Sequence, residues 1–353
     1  MSSNRDQAYL KTRVGVLSAR LLDADEIERL KQMSLRQLGD AFDLQPIFEE
    51  SIDNRQRIRL VEQALLQRLM SELSVLLRPL SGRSRGLMLY WPRKFELYNL
   101  KTLIRGKLNS LGMEEIRDNL FEMPENIRLP HESLLQAENV LEMLRQLDQG
   151  PYALIARQAR NVFEEQHENF SLDAAIDRLY YTGMLRHANI TDSIDKRGLK
   201  KVIGIMVDRQ NILWLLRYRL VYRFAPSEAY YLLIPHGGRL QREKLMELAN
   251  LDGLDTIIEH LPAPFKAILS NANSITQVRQ RLDHIVSDEL RKLMHHSPDA
   301  LVSALSYLIN RDMDLMKLYA IIQSKLLQMD GTILNEAVPG NPLQMEATEA
   351  SHV

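Results

Sequence analysis

Three thirteen-residue segments of this chain align without a gap. Residues 96–108 read E-L-Y-N-L-K-T-L-I-R-G-K-L, residues 208–220 read D-R-Q-N-I-L-W-L-L-R-Y-R-L, and residues 314–326 read D-L-M-K-L-Y-A-I-I-Q-S-K-L. The copies are offset by 112 and then 106 residues. Each opens on an acid (Glu96, Asp208, Asp314) and closes on a base followed by Leu (Lys107, Arg219, Lys325). Between them lie an apolar residue (Leu100, Ile212, Leu318) and an apolar pair (Leu103-Ile104, Leu215-Leu216, Ile321-Ile322). Asn99 matches Asn211 and Arg105 matches Arg217, whereas the third copy carries Lys317 and Gln323 at those places. A repeat of this length predicts three similar domains, residues 1–112, 113–225 and 226–336, each closing with the repeated segment. The tail, 337–353, has no period and is expected to be unstructured.

The repeated segment has the period of a helix. At 100° per residue Leu100, Leu103, Ile104 and Leu108 form one stripe. The same spacing recurs at Leu10, Val14, Leu17 and Leu21, at Ile58, Val61, Leu65 and Leu69, and at Val140, Leu141, Leu144 and Leu147. Sixty Leu against 15 Gly and 13 Pro favour long helices over strands, and strand-like alternation is weak. The expected fold class is all-α. Ser34 and Ser171 are placed to cap helices beginning at Leu35 and Leu172. Breakers are expected at Gly82, Met123–Asn126, Gly150-Pro151, Pro235–Gly238 and Pro262–Pro264.

Glu96 and Lys107 fall on the same stripe, about 16 Å apart by helical rise, so they do not pair within one helix. Both signs suit the helix dipole. The favoured reading is that each emerges into water at its own helix end. The other is that acid and base of neighbouring copies pair and set the register between domains.

At these residues the chain resembles the C subunit of the archaeal and bacterial V/A-type rotary ATPases, known as the d subunit in the eukaryotic enzyme. That family's helix reads approximately N-L-x-x-[IL]-[IL]-R-x-K, which Asn99 through Lys107 follows. Lys200-Lys201-Val202-Ile203-Gly204 leads into the second copy and Leu233–Gly238 follows it, as in the family. Asp177-Arg178-Leu179-Tyr180-Tyr181 is similar to its mid-chain element, and Tyr9 to Leu22 to its opening helix. The resemblance spans about Tyr9 to Asn335. It implies a funnel of three pseudo-threefold-related helical domains. It implies a non-catalytic central-stalk protein, peripheral on the cytoplasmic side of the membrane. Its implied partners are the D and F subunits of the shaft and the proteolipid ring, with membrane contact only through the ring and no cofactor of its own.

The residues leave little room for chemistry. Without Cys there are no disulfides, thiolate metal sites or Cys nucleophiles. No G-x-x-x-x-G-K-[ST] or H-E-x-x-H occurs. Gly237-Gly238 reads as a tight turn rather than a phosphate cradle. Glu164 and His167 have the spacing of one half of a di-iron site, which needs a second such pair, so a metal enzyme is the less favoured alternative. His295-His296 reads as a helix end, and Trp91 and Trp214 as core or interface residues. Arginines alternate with tyrosines at Arg217–Arg223, and Arg83, Arg85, Arg93 and Lys94 flank Tyr90-Trp91. With a net charge of −1 these clusters predict protein contacts and no nucleic-acid partner. Met1 to Thr12 lacks the apolar run of a signal peptide, and Ile212–Leu216 and Leu301–Ile309 are too short to span a bilayer. A helical scaffold of another assembly remains the alternative reading of the same fold.

Overall fold

The structure, a computed structural model, describes residues 4–166, 169–331, 334 and 338. These residues are helical with short connections, and the only extended pairing among them is one antiparallel bridge between His236 and Gln241. The protein is all-α. None of the described helices is long and apolar enough to cross a membrane. The backbone groups into two compact units, one built from residues 1–80 with 251–353 and the other from 81–250.

The first unit is organised around the Ala300–Leu326 helix, which carries the third repeat copy. Every residue from Ala300 to Arg311 is buried. A helix that is apolar on all sides belongs at the centre of a layer, and here Asn4–Ser18, Asn54–Leu77 and Ile275–His296 pack around it. This accounts for the apolar run Leu301–Ile309 without a bilayer. The stripes read from the sequence face this centre: Leu10, Val14 and Leu17 are buried, as are Ile58, Val61, Leu65 and Leu69. Ser34 caps Leu35–Ala41 as expected, its Oγ accepting from Gln37 N at 3.3 Å.

In the second unit the Asn169–Ile190 helix packs against Ala153–Gln166, Lys196–Leu216, Gly82–Tyr90 and Arg93–Leu108. It begins at Asn169, so Ser171 lies inside its first turn and not ahead of it. The break expected at Gly82 is present: Asn54–Leu77 ends before it and Gly82 opens the next helix, with a positive φ of 53° that a side chain would strain. The first repeat copy lies in Arg93–Leu108, and the second runs through Lys196–Leu216 into a π-helical turn at Arg217–Val221. All three copies are therefore helical. Trp91 and Trp214 are both buried. The tail expected to be unstructured lies outside the described residues, apart from Val338, which is buried.

Candidate functional site

The polar residues of the repeat are the least expected part of the core. Glu96, Asp208 and Asp314 open the three copies, and they are 0%, 1% and 1% exposed. Asn99 and Asn211 are fully buried as well. A buried carboxylate or amide is costly unless its hydrogen bonds are met, so each must be tied to a definite partner.

In the second copy the partner is the loop that follows the helix. Asp208 accepts from three consecutive backbone N–H groups, Gly238 at 2.9 Å, Arg239 at 2.7 Å and Leu240 at 3.1 Å. Burial pushes the Asp208 carboxyl above its ordinary value, and the three N–H donors pull it back. Almost one helical turn further on, Asn211 bonds both main-chain groups of one residue. Its Nδ2 donates to Ile234 O and its Oδ1 accepts from Ile234 N, each at 2.9 Å. The loop lies so close that a Cβ on Gly204 would come within 2.7 Å of Gly238 Cα, so helix and loop meet glycine to glycine. Gly237-Gly238 is thus a tight turn, with the N–H of Gly238 and of the two residues after it taken by Asp208.

The first copy repeats the arrangement with different chemistry. Asn99 bonds both main-chain groups of Phe121, with Nδ2 donating to O at 2.9 Å and Oδ1 accepting from N at 2.8 Å. Glu96 Oε2 meets His131 Nε2 at 2.8 Å. The third copy holds a segment from the other end of the chain. Asp314 Oδ2 accepts from Leu22 N at 2.9 Å, and Lys317, in the Asn position, reaches Asp314 Oδ1 at 3.4 Å. Burial again raises the Asp314 carboxyl, opposed chiefly by Lys317.

The closing bases behave alike in all three copies. Lys107 Nζ donates to Leu135 O at 2.5 Å, Arg219 Nη1 to Phe224 O at 2.5 Å, and Lys325 Nζ to Lys31 O at 2.6 Å. Both sequence expectations for these residues need correcting. The acids do not emerge into water: Glu96 meets His131, Asp208 meets main-chain N–H groups, and Asp314 meets Leu22 N and Lys317. None of these partners is the closing base of another copy, and each closing base is bonded to a carbonyl. The matched arginines diverge: Arg105 pairs with Asp173, and Arg217 is exposed.

Sequence reading missed a second buried cluster in the first unit. Glu72, 4% exposed, accepts from Tyr307 Oη at 2.6 Å and from Arg20 Nη1 at 3.0 Å. Arg311 Nε lies 3.4 Å from it at ion-pair distance, and Arg311 Nη1 donates to Arg20 O at 2.7 Å. A groove of about 1010 Å³ opens beside this cluster, lined in part by Arg13, Arg29 and Arg68. The signal was an acid on the apolar stripe of a helix, as at Glu96. The aromatic–basic cluster at Tyr90-Trp91 is core instead of surface: both rings are buried, with Arg93 over Tyr90 and Lys94 over Trp91. His295-His296 does end a helix. No group of three or more His, Asp or Glu among the described residues is placed to hold a metal ion. Glu164 is described, but His167, the other member of that pair, lies outside the described residues.

The sequence profile of the ATP synthase (C/AC39) subunit matches residues 10–337, a span that takes in all three repeat helices and the segments they hold. The chain belongs to the ATP synthase (C/AC39) subunit family. Relatives include the C subunit of the A-type ATP synthase of Methanosarcina mazei, 24% identical with 90% of this chain and 88% of the relative covered. That of Methanocaldococcus jannaschii is 23% identical over 90% and 82%, and that of Haloquadratum walsbyi 23% identical over 92% and 95%. The resemblance to the C subunit of the V/A-type rotary ATPases, read from Asn99–Lys107 and its surroundings, is borne out along the chain.

Proposed function

We propose that this chain is the non-catalytic central-stalk subunit of a rotary ATP synthase, joining the rotating shaft to the membrane proteolipid ring. The observation that carries this reading is the family match across residues 10–337, with relatives that are C subunits of A-type ATP synthases. In this reading the D and F subunits of the shaft and the ring are its partners, and it sits peripherally on the cytoplasmic side. Its three domains follow the repeat and form a pseudo-threefold funnel, with residues 22–31 lent to the third. The buried anchors suit the task. A part that carries torque must not shear, and close-packed helices whose flanking segments are bonded to their cores resist shear.

The test is ATP-driven ion pumping, measured together with ATP hydrolysis in membranes from which this protein has been deleted. Pumping is expected to disappear while hydrolysis by the catalytic head remains. Pumping that persists at the normal level with no substitute present would reject the coupling role. Purified protein that hydrolyses ATP by itself would reject the non-catalytic one.

A further inference from the structure

We propose that the loop joining the Asn169–Ile190 and Lys196–Leu216 helices is a docking site for an anionic lipid surface. Ile194 is 71% exposed, more than any other large apolar side chain among the described residues, and Ile190 is 48% exposed. Cations flank both along the chain. Five of the sixteen residues from Arg186 to Lys201 are Lys or Arg and two are Asp, on a chain whose net charge is −1. Arg186, Lys196, Arg197, Lys200 and Lys201 are all exposed. On the second helix Gly198, Leu199, Val202 and Ile203 face the core, which leaves the four cations of the first turns on the outer side. The Gly82–Tyr90 helix adds Arg83, whose Nη1 donates to Ile190 O at 3.1 Å.

The loop is held in place. Asp195 Oδ1 accepts from Gly198 N at 2.8 Å, Asp195 N donates to Ser193 Oγ at 3.1 Å, and Thr191 Oγ1 donates to His187 O at 2.7 Å. One of the two carboxylates of this stretch is therefore engaged as a helix cap, and the other, Asp192, is exposed. Exposed aliphatics inside a cationic rim match the two layers of a bilayer surface, with isoleucines entering the acyl boundary and lysines meeting anionic headgroups. An acidic protein surface would satisfy the cations but would leave Ile194 and Ile190 without an apolar counterpart. The site adds a direct contact to the expectation that the membrane is met only through the ring.

The vesicle measurement needs no other component of the ATP synthase, so its failure leaves the coupling role untouched. The purified protein is floated with vesicles of phosphatidylcholine alone or mixed roughly three to one with phosphatidylglycerol. Binding is expected only to the mixed vesicles and should weaken steeply with salt. Lys200→Glu with Lys201→Glu should weaken it about tenfold or more. Ile194→Ser should also weaken it about tenfold, and this loss should survive at high salt. Arg29→Glu with Arg36→Glu, which changes net charge equally through two exposed arginines elsewhere in the chain, should leave binding unchanged. No binding to the mixed vesicles, an equal loss in the Arg29/Arg36 control, or no effect of Ile194→Ser would overturn the proposal. So would variants that bind vesicles normally but fail to enter the assembled ATP synthase, which would assign the patch to a protein partner.

Discussion

The second and third repeat helices start from the same pattern and hold opposite ends of their surroundings. Asp208, Asn211 and Arg219 bind residues 224–240, which come after their helix. Asp314 and Lys325 bind Leu22 and Lys31, which come almost 300 residues earlier. For the third copy the N-terminal segment, with the capped helix Ala24–Gln32, takes the place that Phe224–Leu240 takes for the second. The repeat in space is therefore permuted relative to the repeat in sequence. What the motif encodes is a helix that pins a flanking segment through a buried acid and a closing base, joined by an amide in the first two copies, wherever that segment lies in the chain.

The comparison breaks if the N-terminal segment is dispensable. Removing residues 1–32 takes away the buried Leu10, Val14, Leu17, Ile27 and Leu30. At about 1.5–3 kcal/mol for each such side chain, the loss rivals the whole stability of a typical domain. The truncated chain is expected to lose its cooperative thermal transition, followed by circular dichroism. A melting temperature within a few degrees of the parent would mean the third copy needs no pinned segment.

A smaller effect separates anchors that meet main-chain groups from those that do not. Asp208→Ala strands three main-chain N–H groups and should cost about 3–5 kcal/mol in urea unfolding. Asn211→Leu strands the N–H and C=O of Ile234 and should cost about 2–4 kcal/mol, and Asn99→Leu should match it at Phe121. Lys317→Ala takes away the chief charge opposing the burial of Asp314, itself 1% exposed, but leaves Leu22 N donating to it, and should cost about 1 kcal/mol. A loss at Lys317 as large as that at Asn211 would show that the third copy has its own anchor at this position.

The smallest prediction concerns pH. Burial, with Arg93 and Arg186 nearby, holds His187 below its ordinary value. The folded protein thus takes up its proton less readily than the unfolded chain. The corresponding stability is present above about pH 6.5 and is lost as pH falls through the depressed folded value. His187→Phe keeps a ring against Tyr90, 4.5 Å away in the parent, and should flatten the fall in melting temperature between about pH 7 and 5. An unchanged slope would place the acid sensitivity elsewhere.

Much of the fold was legible because helical period and burial go together. Leu100, Leu103, Ile104 and their counterparts were assigned to a core face and lie there. The polar residues were harder. An acid at the start of a helix suits the dipole in water, and nothing local says that the loop 30 residues later will wrap Asp208. One trace was present: Asn99 and Asn211 bind residues 22 and 23 positions onward, a near-constant interval. Ser171 was misplaced because a Ser before an apolar residue is also common inside a helix, and the choice of start lies with tertiary packing.

The sequence by itself determined the helices, the three copies and the family, since each rests on period and order along the chain. The tertiary structure alone decided which segment each repeat helix would hold. Hydrogen bonds of a buried Asp or Asn are satisfied by whatever backbone the packing brings near, and main-chain donors carry no sequence signature. For the second copy packing brought the following loop. For the third it brought Leu22 and Lys31 across 292 and 294 residues, a closure no local pattern records.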